Sequence, residues 1–306
     1  MTGEHMIFRP PGEAESLIIR VADGCPWNRC AFCGMYKGVR YKFSGLEKVQ
    51  AEILRLGRAD GGKAGHSIFR AWSLDENRPD ARRIFLADGD VMYLDFRELE
   101  KILLMLNEQF HQLARVSMYA NGASILAKTG DQLRRLKELK LHTLYMGLES
   151  GDNQTLKEVA KRETVEDMVQ AGRSAQAAGL RMSVMVLLGL AGRERSLQHA
   201  RATAGALNRM QPRLLSALRL IVTPNTPLAV NGFQMLTEYE AVAETREMIA
   251  GLELAQTVFR ADHSSNIVPL EARFPKDKGR LLDRLDDLLA SGRLDRKSPG
   301  PLPFWL

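Results

Sequence analysis

Residues 24–36 read Gly24-Cys25-Pro26-Trp27-Asn28-Arg29-Cys30-Ala31-Phe32-Cys33-Gly34-Met35-Tyr36. This stretch holds every cysteine of the 306-residue chain, at the spacing C-x4-C-x2-C. A disulfide framework uses an even number of cysteines spread along the sequence. Three thiols in one short loop look like a ligand set, and thiolates suit iron–sulfur centres. On a four-iron cubane, three protein thiolates leave one iron open. An open iron suits a cluster that binds a small molecule better than one that only carries electrons. Structural zinc is the competing use of such thiols, but no second knuckle or nearby histidine follows Cys33. Free, unliganded cysteines are the remaining alternative.

Outward from this loop, strand-like and helix-like segments alternate. Ser16–Ala22 reads as a strand ending at Gly24, and Leu46–Leu56 has helical periodicity. Residues 59–82, rich in Gly, Arg and Asp, read as an insertion or long loop. Strands are expected at Arg83–Ala87, Val116–Ala120, Thr143–Leu148, Met182–Leu188 and Leu218–Val222. Helices are expected at Phe96–Leu113, Asp131–Leu139 and Ser196–Met210, with helical patterns following Leu148 to about Ala178. Six strand–helix alternations over residues 15–235 argue for parallel βα units. Fewer than eight units predict an α/β fold of the partial (β/α)6 TIM-like barrel type. In such a barrel, chemistry sits at the carboxyl ends of the strands. Those ends carry Gly24-Cys25, Asp88-Gly89-Asp90, Asn121-Gly122, Glu149-Ser150-Gly151 and Gly189-Leu190-Ala191-Gly192. Residues 1–235 are read as the core barrel. Residues 236–306 are read as a mostly helical C-terminal extension over its open side, with helices at Glu238–Leu252 and Asp277–Leu289.

The bulk composition, 45% hydrophobic and 26% charged, is that of a globular protein. The longest apolar run, Met182–Leu190, is far short of the roughly 20 residues a membrane-spanning helix needs. With no signal-peptide pattern at the start, a cytoplasmic location and no membrane partner are expected. The net charge of +6 and a pI near 9.3 admit a polyanionic partner. The densest basic cluster, Arg134, Arg135, Lys137 and Lys140, has helical spacing and includes Glu138, so nucleic acid is not the favoured partner.

The cysteine loop resembles the cluster loop of the radical S-adenosylmethionine (SAM) superfamily. The usual form there is C-x3-C-x2-C with an aromatic residue before the last cysteine, the place Phe32 holds; one extra residue fills the first gap here. Further stretches follow in the family's order. Phe85-Leu86-Ala87-Asp88-Gly89-Asp90 resembles the Gly-Gly-Glu motif that receives the methionine amino group, with Asp90 in the acid's place. Leu148-Glu149-Ser150-Gly151 is similar to a segment of methylthiotransferases, elongator-type enzymes and oxygen-independent coproporphyrinogen oxidases, which would put Glu149 and Ser150 near the SAM ribose. Lys161, with Arg162 as an equal candidate, falls near the basic residue that pairs with the SAM carboxylate. Val186–Gly192, including Leu190, resembles the segment that flanks the adenine. Tyr36 follows the last cysteine where a residue often lies against that ring, and Tyr119 and Asn121 end the third strand beside the same region.

The resemblance covers residues 15–230 and implies a [4Fe–4S] cluster on Cys25, Cys30 and Cys33, with SAM on its open iron. It also implies reductive cleavage of SAM to a 5′-deoxyadenosyl radical that takes hydrogen from a substrate. Trp27, Asn28 and Phe32 are placed to influence the cluster potential. A small-molecule substrate is expected, with a reducing partner such as flavodoxin or ferredoxin. An RNA-modifying member of the superfamily and a non-enzymatic iron–sulfur sensor or electron carrier are the alternatives. In the extension, residues 259–266 bring Arg260, Asp262, His263 and Asn266 into an expected loop as candidates for substrate contact; ordinary turn formation is the competing reading. His199, on a helix, is read as structural.

Overall fold

The computed structural model describes residues 7–58 and 78–302. Most of the expected 59–82 insertion lies outside those residues. The chain divides into two compact units. The first takes in the described residues up to Asn28, then Gly38–Tyr145 and Ser174–Leu180; the second takes in Arg29–Lys37, Met146–Arg173 and the described residues from Arg181 onward.

The first unit starts with β1 (Leu17–Arg20). The chain then leaves that direction, and β2 (Ala22–Asp23) pairs antiparallel with β3 (Lys42–Phe43). The single strand expected over Ser16–Ala22 is therefore two short ones. After β3 come α1 (Leu46–Leu56), β4 (Arg83–Ala87), α2 (Phe96–Gln109), β5 (Arg115–Tyr119), α3 (Gly122–Leu126), α4 (Gly130–Glu138) and β6 (Leu141–Glu149). β1, β4, β5 and β6 pair in that order, all parallel. Register puts Ile18 beside Phe85, Phe85 beside Ser117 and Tyr119 beside Tyr145. This face carries an aromatic cluster in which Phe85, Tyr119 and Tyr145 meet edge to face at 5.3–6.2 Å, a favoured geometry for buried rings. The Tyr145 hydroxyl donates to the buried carboxylate of Glu13 at 2.8 Å. The opposite face carries Ile19, Ile84, Leu86, Val116, Met118 and Leu144, all buried.

Helix starts follow local chemistry. Asp95 with Glu98 and Thr129 with Gln132 form reciprocal capping boxes at α2 and α4, worth about 1 kcal/mol for each cap. On α4 the basic cluster is partly neutralised: Arg134 pairs with Asp131, and Arg135 with Glu100 and Glu138.

The remaining elements are α5 (Asn153–Glu158), α6 (Val165–Ala177), β7 (Arg181–Leu188), α7 (Ser196–Met210), β8 (Leu214–Arg219), α8 (Pro227–Val230), α9 (Glu238–Gly251), β9 (Val258–Ala261), β10 (Leu270–Arg273) and α10 (Lys278–Ala290). In the second unit β7, β8 and β9 are parallel, and β10 runs antiparallel to β9. β8 begins four residues earlier than the expected Leu218–Val222. Its register is set by Ser183 against Leu214 and Leu188 against Arg219, so the leucine-rich run 214–218 alternates in burial as a strand does. The extension is mostly helical but also contributes β9 and β10. Val258-Phe259-Arg260-Ala261 alternates with period two, and its first three residues pair with Leu214–Ser216, which places Arg260 on a strand rather than in the expected loop. Among the described residues no helix is long and apolar enough to cross a membrane.

Candidate functional site

In the first unit the strand ends gather acids around Cys25. Asp88 and Asp90, just past β4, are buried. The Arg20 guanidinium lies 3.7 Å from Asp88. Asp90 accepts hydrogen bonds from the Asn121 backbone N–H at 3.2 Å, the Asn121 amide at 3.1 Å and the Ser124 hydroxyl at 2.6 Å. Three donors hold the carboxylate in one orientation. Between the two acids, the Gly89 N–H donates to the Gly24 carbonyl at 3.2 Å. A Cβ on Gly89 would stand 2.8 Å from both the Cys25 Cβ and the Gly24 oxygen, so only glycine lets these two segments approach so closely. Tyr119 lies within the influence of Asp88: burial, with the charge of Asp88 added, pushes its hydroxyl far above the usual phenol range.

In the second unit Cys30 and Cys33 sit on a loop pinned by backbone. The Ala31 N–H donates to the Val159 carbonyl at 2.8 Å, and the Ala31 carbonyl accepts from Leu228 N–H at 3.2 Å. The Asn225 amide donates to the Gly34 carbonyl at 2.9 Å. Phe32 packs on an apolar cluster containing Ala31, Val159, Leu190, Leu220 and Leu228, so the structure brings Phe32 and Leu190 together. Tyr36 is buried.

At the end of β6, Glu149 adopts a left-handed backbone conformation, φ 62°, a strained state for a non-glycine residue. Its carboxylate lies 3.7 Å from the Lys161 ammonium, and both side chains are largely buried. Burial raises the Glu149 pKa; Lys161 opposes that rise and the nearby Glu163 adds to it. Arg162, the equal candidate from sequence, is exposed. The buried Ser150 hydroxyl accepts from Asp152 N–H at 3.0 Å.

The C-terminal candidates separate into two groups. Arg260 is exposed and pairs with Asp262 at 3.2 Å and with Glu271 of β10 at 2.5 Å. His263 Nδ1 meets the Ser265 hydroxyl at 2.9 Å, and burial lowers its pKa. Asn266 donates to the Ala217 carbonyl at 2.9 Å. These contacts bond the turn to itself and to β8.

Three residues that sequence reading passed over shape these ends. Gly147 makes room for Glu149: a Cβ there would lie 1.8 Å from Glu149 Oε1. Its signal was glycine on the same face of β6, two residues before the acid. Glu244, buried on α9, accepts from Gly189 N–H at 2.6 Å, from the Ser196 hydroxyl and from His199 Nδ1 at 3.2 Å. An acid on the helix face shared by Ala241, Met248 and Ile249 was the available clue. Arg219, buried at the end of β8, donates to the carbonyls of Ser265 at 2.6 Å and Pro299; nothing local in the sequence signalled it.

The cysteines suit a cluster on chemical grounds: none is in a disulfide, each is partly exposed, and glycine at 89 leaves room beside Cys25 that a Cβ would fill. Among the described residues no three His, Cys, Asp or Glu side chains are gathered to hold one metal ion. A cubane sets each thiolate on a different iron, so it does not require that single-ion arrangement.

A family model for the radical SAM superfamily matches residues 19–195. The heme chaperone HemW of Bacillus subtilis (strain 168) is 25% identical over 177 residues, covering 56% of this chain and 46% of that protein. The chain thus spans about half the length of this curated relative. Among solved structures, coproporphyrinogen III oxidase (HemN) from Escherichia coli, a radical SAM enzyme, aligns at a TM-score of 0.55 and 15% identity over 79% of this chain and 55% of its own. Methylornithine synthase (PylB) aligns at 0.51 and 14% identity over 89% and 81%. At such identities the likeness is one of fold, the α/β partial barrel expected from the sequence. With a family match that runs from β1 to the residue before α7, the chain belongs to the radical SAM superfamily, whose proteins bind a [4Fe–4S] cluster and S-adenosylmethionine.

Proposed function

We propose that this chain is a radical SAM enzyme acting on a small molecule, with residues 1–235 as its core and 236–306 as its extension. In this reading Cys25, Cys30 and Cys33 hold the cluster. When bound, the cluster supplies the electron that breaks a carbon–sulfur bond of SAM and so starts hydrogen abstraction from the substrate. The observation that carries the reading is the Gly89 backbone packed on Cys25 between two buried acids, Asp88 and Asp90. An ammonium group brought to that place meets carboxylate charge already oriented by Asn121 and Ser124. Lys161, largely buried and 3.7 Å from the Glu149 carboxylate, is suited to take up a carboxylate. Glu149 and Ser150 would serve the ribose, and Phe32, Tyr36 and Leu190 the adenine. Tyr119, beside Asp88, is a candidate for substrate contact, as are Arg260, Asp262, His263 and Asn266 by their place in the extension. Flavodoxin or ferredoxin would supply the electron.

The test is anaerobic reconstitution with iron and sulfide, then reduction with SAM present. Release of 5′-deoxyadenosine and methionine by the wild type, with at least about a hundredfold loss in Cys30→Ala, is the expected result. Intact SAM beside a well-formed cluster, with or without candidate substrates, would favour a carrier or sensor. A second reading follows from the curated relative's name: binding of heme without SAM cleavage. Hemin titration of the reconstituted protein distinguishes it.

A further inference from the structure

Tyr41 carries a hydroxyl that the protein itself does not use. The residue is partly exposed, yet the hydroxyl oxygen is buried and has no hydrogen-bond partner among the described residues. A buried phenol without a partner is uncommon and costs about 1–3 kcal/mol. Backbone pairing places Tyr41 beside the cysteine loop. β2 and β3 pair Asp23 with Lys42, so the next residues in register are Gly24 and Tyr41. A Cβ on Gly24 would lie 3.4 Å from the Tyr41 nitrogen, and Cys25 is the adjoining residue. On its other side the Tyr41 ring meets Tyr93 edge to face at 5.4 Å, and Tyr93 N–H donates to the Asp90 carbonyl at 3.3 Å. Tyr41 is thus fixed between the cysteine loop and the acid-bearing end of β4.

Asp90 does not accept from it; its carboxylate receives Asn121 and Ser124. The hydroxyl's pKa is pushed up to about 12, first by burial, then by Asp90, Tyr93, Glu98 and Cys25. A phenol is protonated near neutral pH and able to donate.

We propose that the Tyr41 hydroxyl donates a hydrogen bond to the Cys25 side of the iron–sulfur cluster and raises its reduction potential. This rests on the cluster placement proposed above. Reduction adds negative charge to the cluster, and a donor to sulfur stabilises that added charge. Tyr41→Phe removes only the oxygen, so the fold and the Tyr93 contact are kept. The measurement is an EPR-monitored redox titration of the reconstituted full chain without SAM, followed by pulsed EPR of the reduced cluster in D2O. Tyr41→Phe is expected to lower the ratio of reduced to oxidised cluster about tenfold at a fixed potential, about 59 mV for a one-electron couple. It is also expected to lose one strongly coupled exchangeable deuteron. Equal iron and sulfide content in both proteins shows that the cluster itself is intact. An unchanged midpoint, or a deuteron coupling that survives in Tyr41→Phe, overturns the proposal. A wild type that builds no cluster, or one that still builds it without Cys25, would instead overturn the cluster placement.

Discussion

The carboxyl ends of β4 and β6 both present buried acids, but they hold them by different means. At β4, Asp90 is fixed by three hydrogen bonds from neutral donors, and the glycine beside it packs on backbone and on a cysteine. At β6, Glu149 has a strained backbone, a raised pKa and one long ion pair. The glycine that serves it, Gly147, yields only to a flexible carboxylate. The first end is rigid because its partners are neutral and cost little to desolvate. The second end is adjustable because a buried pair at 3.7 Å gains less than ideal geometry would give. Rigidity suits a place where an ammonium group and a cluster must meet in one geometry. Adjustability suits a place where a ligand must displace an internal partner.

Gly89→Ala should show the rigidity most strongly. Its new methyl meets the Gly24 carbonyl and the Cys25 backbone, which cannot rotate away, so a cost of about 1–3 kcal/mol is expected. Iron incorporation on reconstitution should fall at least about tenfold, and normal loading would refute the close-packing argument.

Lys161→Met should show the adjustability. Without the ammonium, Glu149 is buried beside Glu163 with its main compensating charge gone, and its pKa rises further. An acid whose pKa is higher folded than unfolded binds more protons in the native state, so stability falls as pH climbs from the ordinary carboxylate value toward the raised one. Denaturant midpoints should thus show the variant close to wild type near pH 4 and weaker by about 1–3 kcal/mol near pH 8. A loss of equal size at both pH values would mean that Lys161 acts through packing alone. SAM affinity should also fall, whereas loading of the cluster should not.

Asp152→Asn gives the smallest effect and bounds the region beyond β6. Burial opposes the charge of Asp152, but Thr155, the backbone of residues 154 and 155, and Arg195 together hold its carboxyl below the ordinary range. Its contribution is present above about pH 4 and disappears as pH falls through the lowered value. The variant should lose about 1 kcal/mol at pH 7 and progressively less as pH falls below about 4. A larger loss, or one that spoils SAM binding, would extend the adjustable region past α5.

How much of this was legible follows the range of the interactions. The cysteine spacing, the βα alternation and the acidic and glycine-rich strand ends are local, so they can be read off the chain. Asp90 with Asn121 and Glu149 with Lys161 were placed individually in the sequence, and the structure joined each pair. Residues 259–261 were misread as part of a loop because so short an alternation is indistinguishable from a turn until β8 pairs with it. Gly147 and Glu244 left faint periodic clues, and Arg219 left none, since its partners are 46 and 80 positions away.

By itself the sequence determined that three thiolates share one loop and that parallel βα units follow it, because ligand spacing and hydrophobic period act over a few residues. Only the tertiary structure decided which acid is held by three neutral donors and which lies buried 3.7 Å from an ammonium, and that the Tyr41 hydroxyl is left without a partner. Burial and hydrogen-bond satisfaction depend on atoms that meet from distant parts of the chain.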